Sequence, residues 1–271
     1  MQRKGLALAW VALVVGLGGL SPQVRALSWA ERAGKRNSTE ISAQDARQKN
    51  AEEQPDRRNK ICMRIIRPAR KNVDWDTDPT AIPYLLYQFN KRTQLPVHVE
   101  PKGLDVSSDE LFKHTLVYLT AHVAWNFNDK EAENMARFLK RGGTLLLDDC
   151  YNRGSPFATC VRPEVSKLIP GADSAVVLDS DPKVADVFKM TYQNITPGSR
   201  PLTGSYWQYF DLDGRPAVFF SPNDDGCAWE VSTPPTASNP IGEGIGHGGD
   251  NRARENSYQL TANWLLFVYT H

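Results

Sequence analysis

The sequence predicts a single α/β domain, a mainly parallel sheet flanked by helices, and three observations carry that expectation. Residues 115–149 read as strand, loop, capped helix, glycine turn and strand. Two apolar runs, 116–120 and 144–147, flank the helical segment and are continuous rather than alternating, as strands covered on both faces are. With 271 residues, of which 41% are hydrophobic and 23% charged, there is material for one good-sized core.

Taken in order, residues 1–26 have the layout of a secretory signal: Arg3 and Lys4, an apolar run over 6–20, then Val24-Arg25-Ala26 as a small-residue cleavage site. The run is too short for a spanning helix and is broken by Gly16, Gly18 and Gly19, so no transmembrane span is expected after cleavage. Residues 27–59 are polar, with mixed charge and few aliphatic side chains. Such a segment buries too little apolar surface to offset its ordering entropy, and it reads as a disordered linker. The folded domain is expected over 60–271, in an exported protein of the periplasm or the extracellular space.

Within that domain Ile61, Met63, Ile65 and Ile66 give a first strand. Asp78-Pro79 has the form of a helix start, carboxylate as N-cap and proline at the first position, ahead of Ile82, Leu85, Leu86 and Phe89 at helical spacing. Residues 97–99 predict a short strand, and Ser107 with Glu110 a capping box before Leu111 and Phe112. Asn128 and Glu131 form a second box, heading a helix that Gly142 ends. After the Gly154-Ser155-Pro156 turn come a helix over 158–168 and a strand over 176–178. Residues 206–212 and 217–221, joined at Asp213-Gly214, read as a hairpin whose second arm also suits the main sheet. A glycine-rich loop, 242–249, precedes a terminal helix over 254–269.

A formal net charge of +1, from 32 basic and 31 acidic residues, gives no polyanion-binding signature, so nucleic acid is not expected as a partner. Cys62, Cys150, Cys160 and Cys227 lack C-x-x-C spacing, which removes the usual redox and zinc-knuckle motifs. Export permits disulfides, and Cys150 with Cys160 is the shortest closure.

Ligands of open α/β sheets bind beyond the carboxyl ends of the strands, where this chain places His122, Asp148 and Asp149. Imidazole and carboxylate there suit a divalent metal or an acid/base pair; the bland reading is turn capping and backbone hydrogen bonding. Asn223, Asp224 and Asp225, in the run Ser221 to Gly226, offer clustered oxygens for a cation, and are equally ordinary turn chemistry. No G-x-S-x-G or G-x-C-x-G elbow occurs, and Asp148 and Asp149 beside Cys150 would raise its thiol pKa. No cofactor is required by any motif.

The segments KICMRIIRP, DPTAIPYLLYQF, KHTLVYLTAH, NDKEAENMARFLKRGGTLLLDDC, FSPNDDGCAWE and SYQLTANWLLFVY, in that order, resemble the bacterial domain of unknown function 4159. The resemblance implies a class I glutamine amidotransferase-like, flavodoxin-like fold and association with the cell envelope. Without a cysteine elbow or a matching His-Glu pair, glutamine hydrolysis is not carried over, and no catalytic residue is transferred. The expected function is binding of a small-molecule ligand or an envelope protein partner at the strand ends. The alternative is a metal-assisted hydrolase using His122 with Asp148 and Asp149. Mass spectrometry of the exported protein should find a chain beginning at Leu27; a mass that retains Met1 contradicts the cleavage expectation.

Overall fold

The computed structural model describes residues 59–100, 102–150, 155–176, 207–231 and 251–271. The expected signal, nearly all of the linker and the loop over 242–249 lie outside them. In chain order the described elements are β1 (Arg64–Arg67), α1 (Ala81–Thr93), β2 (Leu104–Asp105), a 3-10 turn (Asp109–Lys113), β3 (Leu116–Ala121) and α2 (Asp129–Lys140). There follow β4 (Thr144–Asp149), α3 (Pro156–Leu168), β5 (Ser174–Val176), β6 (Gln208–Leu212), β7 (Arg215–Ser221), α4 (Asp225–Trp229) and α5 (Asn251–Thr270). No helix among the described residues is long and apolar enough to cross a membrane.

The strands make one mixed sheet in the order β2-β1-β3-β4-β7-β6-β5. The first five run parallel, and the last two joints are antiparallel. Side chains alternate across a strand, so each face of the sheet gathers its own core. Met63, Ile65, Tyr118, Leu146 and Phe219 pack with α1 and α5, whereas Ile66, Val117, Leu119, Leu145, Leu147 and Val218 pack with α2 and α3. Burying each large aliphatic chain is worth about 1.5–3 kcal/mol, which explains why the central strands carry unbroken apolar runs.

Several local expectations shift. Residues 97–99 contribute only a bridge from Val97 to Ile61, and the edge strand comes from Leu104–Asp105 instead. The 3-10 turn is capped by Ser108, which accepts from the Glu110 N–H, while Ser107 donates to Asp105 Oδ1 at 2.6 Å. The hairpin and main-sheet readings of 206–221 are both realised, because β7 pairs with β6 on one edge and β4 on the other. Helix α1 begins after Thr80, and the Asp78 side chain does not cap it.

The Asn128–Glu131 capping box forms as expected, and α2 ends at Gly142, whose φ of 93° is the left-handed conformation glycine tolerates. Replacing Asn128 by Ala removes one reciprocal hydrogen bond and should cost about 1 kcal/mol. Thermal unfolding should show a Tm lower by about 2–4 °C, and an unchanged Tm would remove the cap from the account of α2.

Candidate metal centre at the strand ends

The carboxyl ends of β1, β3, β4 and β7 open on the face covered by α1 and α5, and four connections place polar side chains there. After β1 the chain crosses above the sheet and brings Asp74, Thr77 and Asp78. His122 follows β3, Cys150 follows β4, and Asp224, Asp225 and Cys227 follow β7. Two-residue periodicity sorts them. On β4, Leu146, Asp148 and Cys150 share the site face, and Asp149 turns to the other, where its Oδ1 accepts from Ser155 Oγ at 2.7 Å below α3.

Four of these residues converge. One oxygen or sulfur from each of Asp78, Cys150, Asp224 and Cys227 lies within 4.8 Å of the other three, and all four residues are buried. Cys150 Sγ is 3.8 Å from Cys227 Sγ, and Asp78 Oδ1 is 3.7 Å from Cys150 Sγ and 3.4 Å from Cys227 Sγ. Asp78 Oδ2 is buried with no hydrogen-bond partner among the described residues. Gly226 permits this approach, since a Cβ there would lie 2.3 Å from Asp78 Oδ2 and 2.6 Å from the Tyr118 hydroxyl. Asp224 holds a left-handed backbone, φ 58° and ψ 52°, which a non-glycine residue adopts at a cost.

The next layer fixes these groups. Asp148 Oδ2 accepts from the Gly226 N–H at 2.6 Å and the Tyr118 hydroxyl at 2.9 Å, and its Oδ1 from the Asp225 N–H at 3.1 Å. Asp148 thus ties the start of α4 to β4. Asp225 accepts from Trp207 Nε1 at 2.9 Å, from Ser221 Oγ at 2.5 Å and from Ser257 Oγ of α5. Glu230 Oε1 accepts from both the Thr80 N–H and its hydroxyl at 3.0 Å, supplying from across the chain the cap α1 lacks locally. Asn223 is buried, and its N–H donates to Ser221 Oγ at 3.2 Å.

Crowded acids in a dry site resist ionisation. Burial, followed by the charges of Glu230 and Asp224, pushes Asp78 up to about 8. Burial, with Asp225 and Asp224 beside it, also raises Asp148. Asp225 is raised by burial against the opposing pull of its Ser221, Ser257 and Trp207 donors. The contact with Cys227 pulls the Cys150 thiol down, but burial and the nearby Asp78, Asp224 and Asp148 push it up to about 12. The Cys227 thiol is raised through its contact with Cys150 and through burial. These shifts share one cause, too much negative charge in too little solvent.

His122 stands at the rim, its side chain 35% exposed and that of Asp74 40%. Its Nδ1 is 2.7 Å from Asp74 Oδ2 and 3.0 Å from Thr77 Oγ1, and its N–H donates to Asp74 Oδ1 at 3.1 Å. Nε2 faces Cys150 Sγ at 3.2 Å. His122 therefore meets Cys150 rather than the Asp148–Asp149 pair, which divides between the two faces. Of the six candidate ligand residues, Asp224 enters the four-residue cluster, and Asp148 and Asp225 brace it. Cys160 is half-buried on α3, packed against the core with its Sγ donating to the Pro156 carbonyl, and Cys150 instead neighbours Cys227; no disulfide joins any of the four cysteines.

Cys62, Glu100 and His114 form another cluster of ligand types at the opposite strand ends. There the guanidinium of Arg64, 3.2 Å from Glu100 Oε2, already supplies a cation. The strand-end cluster is thus the stronger metal candidate.

The raised acids set a pH dependence. A carboxyl group that ionises more readily unfolded than folded stabilises the fold below about pH 4, and that contribution is lost as the pH rises through the folded value. For Asp78 the loss runs up to about 8. Urea midpoints of chelator-treated protein should therefore fall between about pH 5 and about pH 8.5, and Asp78→Asn should flatten the fall. An unchanged slope in the variant would clear Asp78 as its source.

No curated protein matches the chain. A family profile covers residues 64–269, from the first residue of β1 to the penultimate residue of α5. It spans every side chain of the site, and the chain belongs to the family described as domain of unknown function 4159.

Proposed function

We propose that this domain binds a divalent metal of the zinc class at its strand ends, through Asp78, Cys150, Asp224 and Cys227. One observation carries the reading. Zinc bonds of about 2.3 Å to sulfur and about 2.0–2.2 Å to oxygen, set at the tetrahedral angle, separate two sulfurs by about 3.8 Å and a sulfur from an oxygen by about 3.6 Å. The corresponding separations here are 3.8 Å for the two sulfurs and 3.7 and 3.4 Å from Asp78 Oδ1. Thiolates select soft or borderline ions over magnesium or calcium, and a bound cation removes the protons that these crowded acids and thiols otherwise keep.

With the signal-like start, the domain acts in this reading as an exported metal-binding module of the bacterial envelope. The parallel order β2-β1-β3-β4-β7 supports placing it among flavodoxin-like folds, including the class I glutamine amidotransferase-like branch, because that order reverses at β1 and β3 beside the site.

Two catalytic readings draw less support. A metal-assisted hydrolase using His122 with Asp148 and Asp149 needs an open coordination position, and four protein ligands fill a tetrahedral ion. Cys150, His122 and Asp74 are linked at 3.2 and 2.7 Å in the order of nucleophile, base and orienter. Yet the Cys150 thiol is 1% exposed and its pKa is pushed up to about 12, the reverse of an activated nucleophile.

Elemental analysis of protein purified without chelator should find one zinc per chain. Asp78→Ala and Cys227→Ser should each weaken zinc binding by more than about 100-fold, while Asp149→Asn, on the far face, should leave it intact. Full metal content in both ligand variants overturns the proposal.

A further inference from the structure

The four inner ligands are buried, so an ion reaches them past other groups, and among the described residues His122 is a side chain suited to receive it. His122 touches both solvent and the cluster, being one-third exposed with Nε2 3.2 Å from Cys150 Sγ, and its imidazole is a metal ligand where the neighbouring Thr77 hydroxyl is not. Asp74 grips it twice, at the ring Nδ1 and at the backbone N–H. A carboxylate on one ring nitrogen is the usual support of a metal-binding imidazole: it fixes the tautomer with hydrogen on Nδ1 and leaves the lone pair of Nε2 for the ion. Thr77, 3.0 Å from Nδ1 and 3.8 Å from Cys150 Sγ, touches both the ring and the thiol.

We propose that His122 is the exchange ligand of the centre: zinc is first caught between His122 Nε2 and Cys150, then handed inward to Asp78, Asp224 and Cys227, and leaves by the reverse path. This rests on the metal reading above and adds to it a route. Binding to His122 and Cys150 displaces waters of the aqua ion and releases the Cys150 thiol proton to solvent. In the handover Asp78, Asp224 and Cys227 displace the two remaining waters and His122 Nε2 one at a time, and the protons held by Asp78 and Cys227 leave to solvent, with no change of oxidation state. Cys150 stays bound throughout, which keeps each step a single ligand substitution. The consequence is functional: a closed four-ligand site with a dedicated entry ligand exchanges its ion with outside chelators, where a purely structural zinc would stay locked.

A ligand used only in transit lowers the barrier in both directions and leaves the equilibrium alone. The test measures zinc transfer in both directions between full-length protein and a chromophoric chelator, for wild type, His122→Ala and Asp74→Asn, with circular dichroism confirming the fold. His122→Ala should slow loading and removal together by about tenfold or more, with stoichiometry and dissociation constant preserved. Asp74→Asn should shift both rates in the same direction by less, because the imidazole remains but loses its orientation. Unchanged rates in His122→Ala overturn the proposal. So does faster release with a weakened dissociation constant, which marks His122 as a permanent ligand. If wild type takes up no zinc, the metal reading itself fails, which separates the two claims.

Discussion

Burying like charges together is the constraint on which the rest of this structure depends. Asp78, Asp148, Asp224, Asp225 and Glu230 all lie buried at one end of the sheet, with two thiols among them. Unit charges of the same sign at such separations repel by several kcal/mol at an effective dielectric of about 20. Protonation relieves the repulsion, as the raised Asp78, Asp148 and Asp225 attest. A divalent cation relieves it too, and makes the two thiols ligands rather than bystanders. Arg254, buried in α5, donates to the carbonyls of Ala228 and Glu230 and to the Tyr258 hydroxyl, so it braces the chain around α4.

The fold is arranged to hold that tension in place. Parallel pairing aligns Asp148 with Thr120 on one side and Ser221 on the other, so the ends of β3, β4 and β7 are level. Asp148 and Asp225 then spend their lone pairs on backbone and side-chain donors, which makes them fixed struts. Helix α5 reaches back through Ser257, which donates to Asp225 and accepts from Trp229 Nε1 at 2.9 Å. The connections after β1, β4 and β7 thereby meet in a common frame, and one ligand atom from each of the four cluster residues lies within 4.8 Å of the others without any one loop specifying them.

Much of the fold was legible because its signals are local. The continuous apolar runs of β3 and β4, the Asn128–Glu131 box and the glycine after α2 each have a mechanism confined to a few residues, and the α/β sheet follows from them. The site was only partly legible. His122, Asp148 and the Asn223 to Asp225 turn stand at strand ends and could be marked from sequence. Strand periodicity would also have separated Asp148 from Asp149 and put Cys150 on the site face. Asp78 was disguised as a helix cap by Asp-Pro spacing, and its true partners are 72 and 149 positions away. Cys227 depends on the short helix α4, whose placement rests on Asp148. Such convergence is a property of tertiary packing, and no spacing rule carries it.

X-ray absorption at the zinc edge of the loaded protein tests the central claim most directly, since it reads the atoms bonded to the ion. The account predicts a four-coordinate shell with two sulfurs at about 2.3 Å and two oxygens at about 2.0–2.2 Å. A six-coordinate shell of nitrogen and oxygen alone would contradict it.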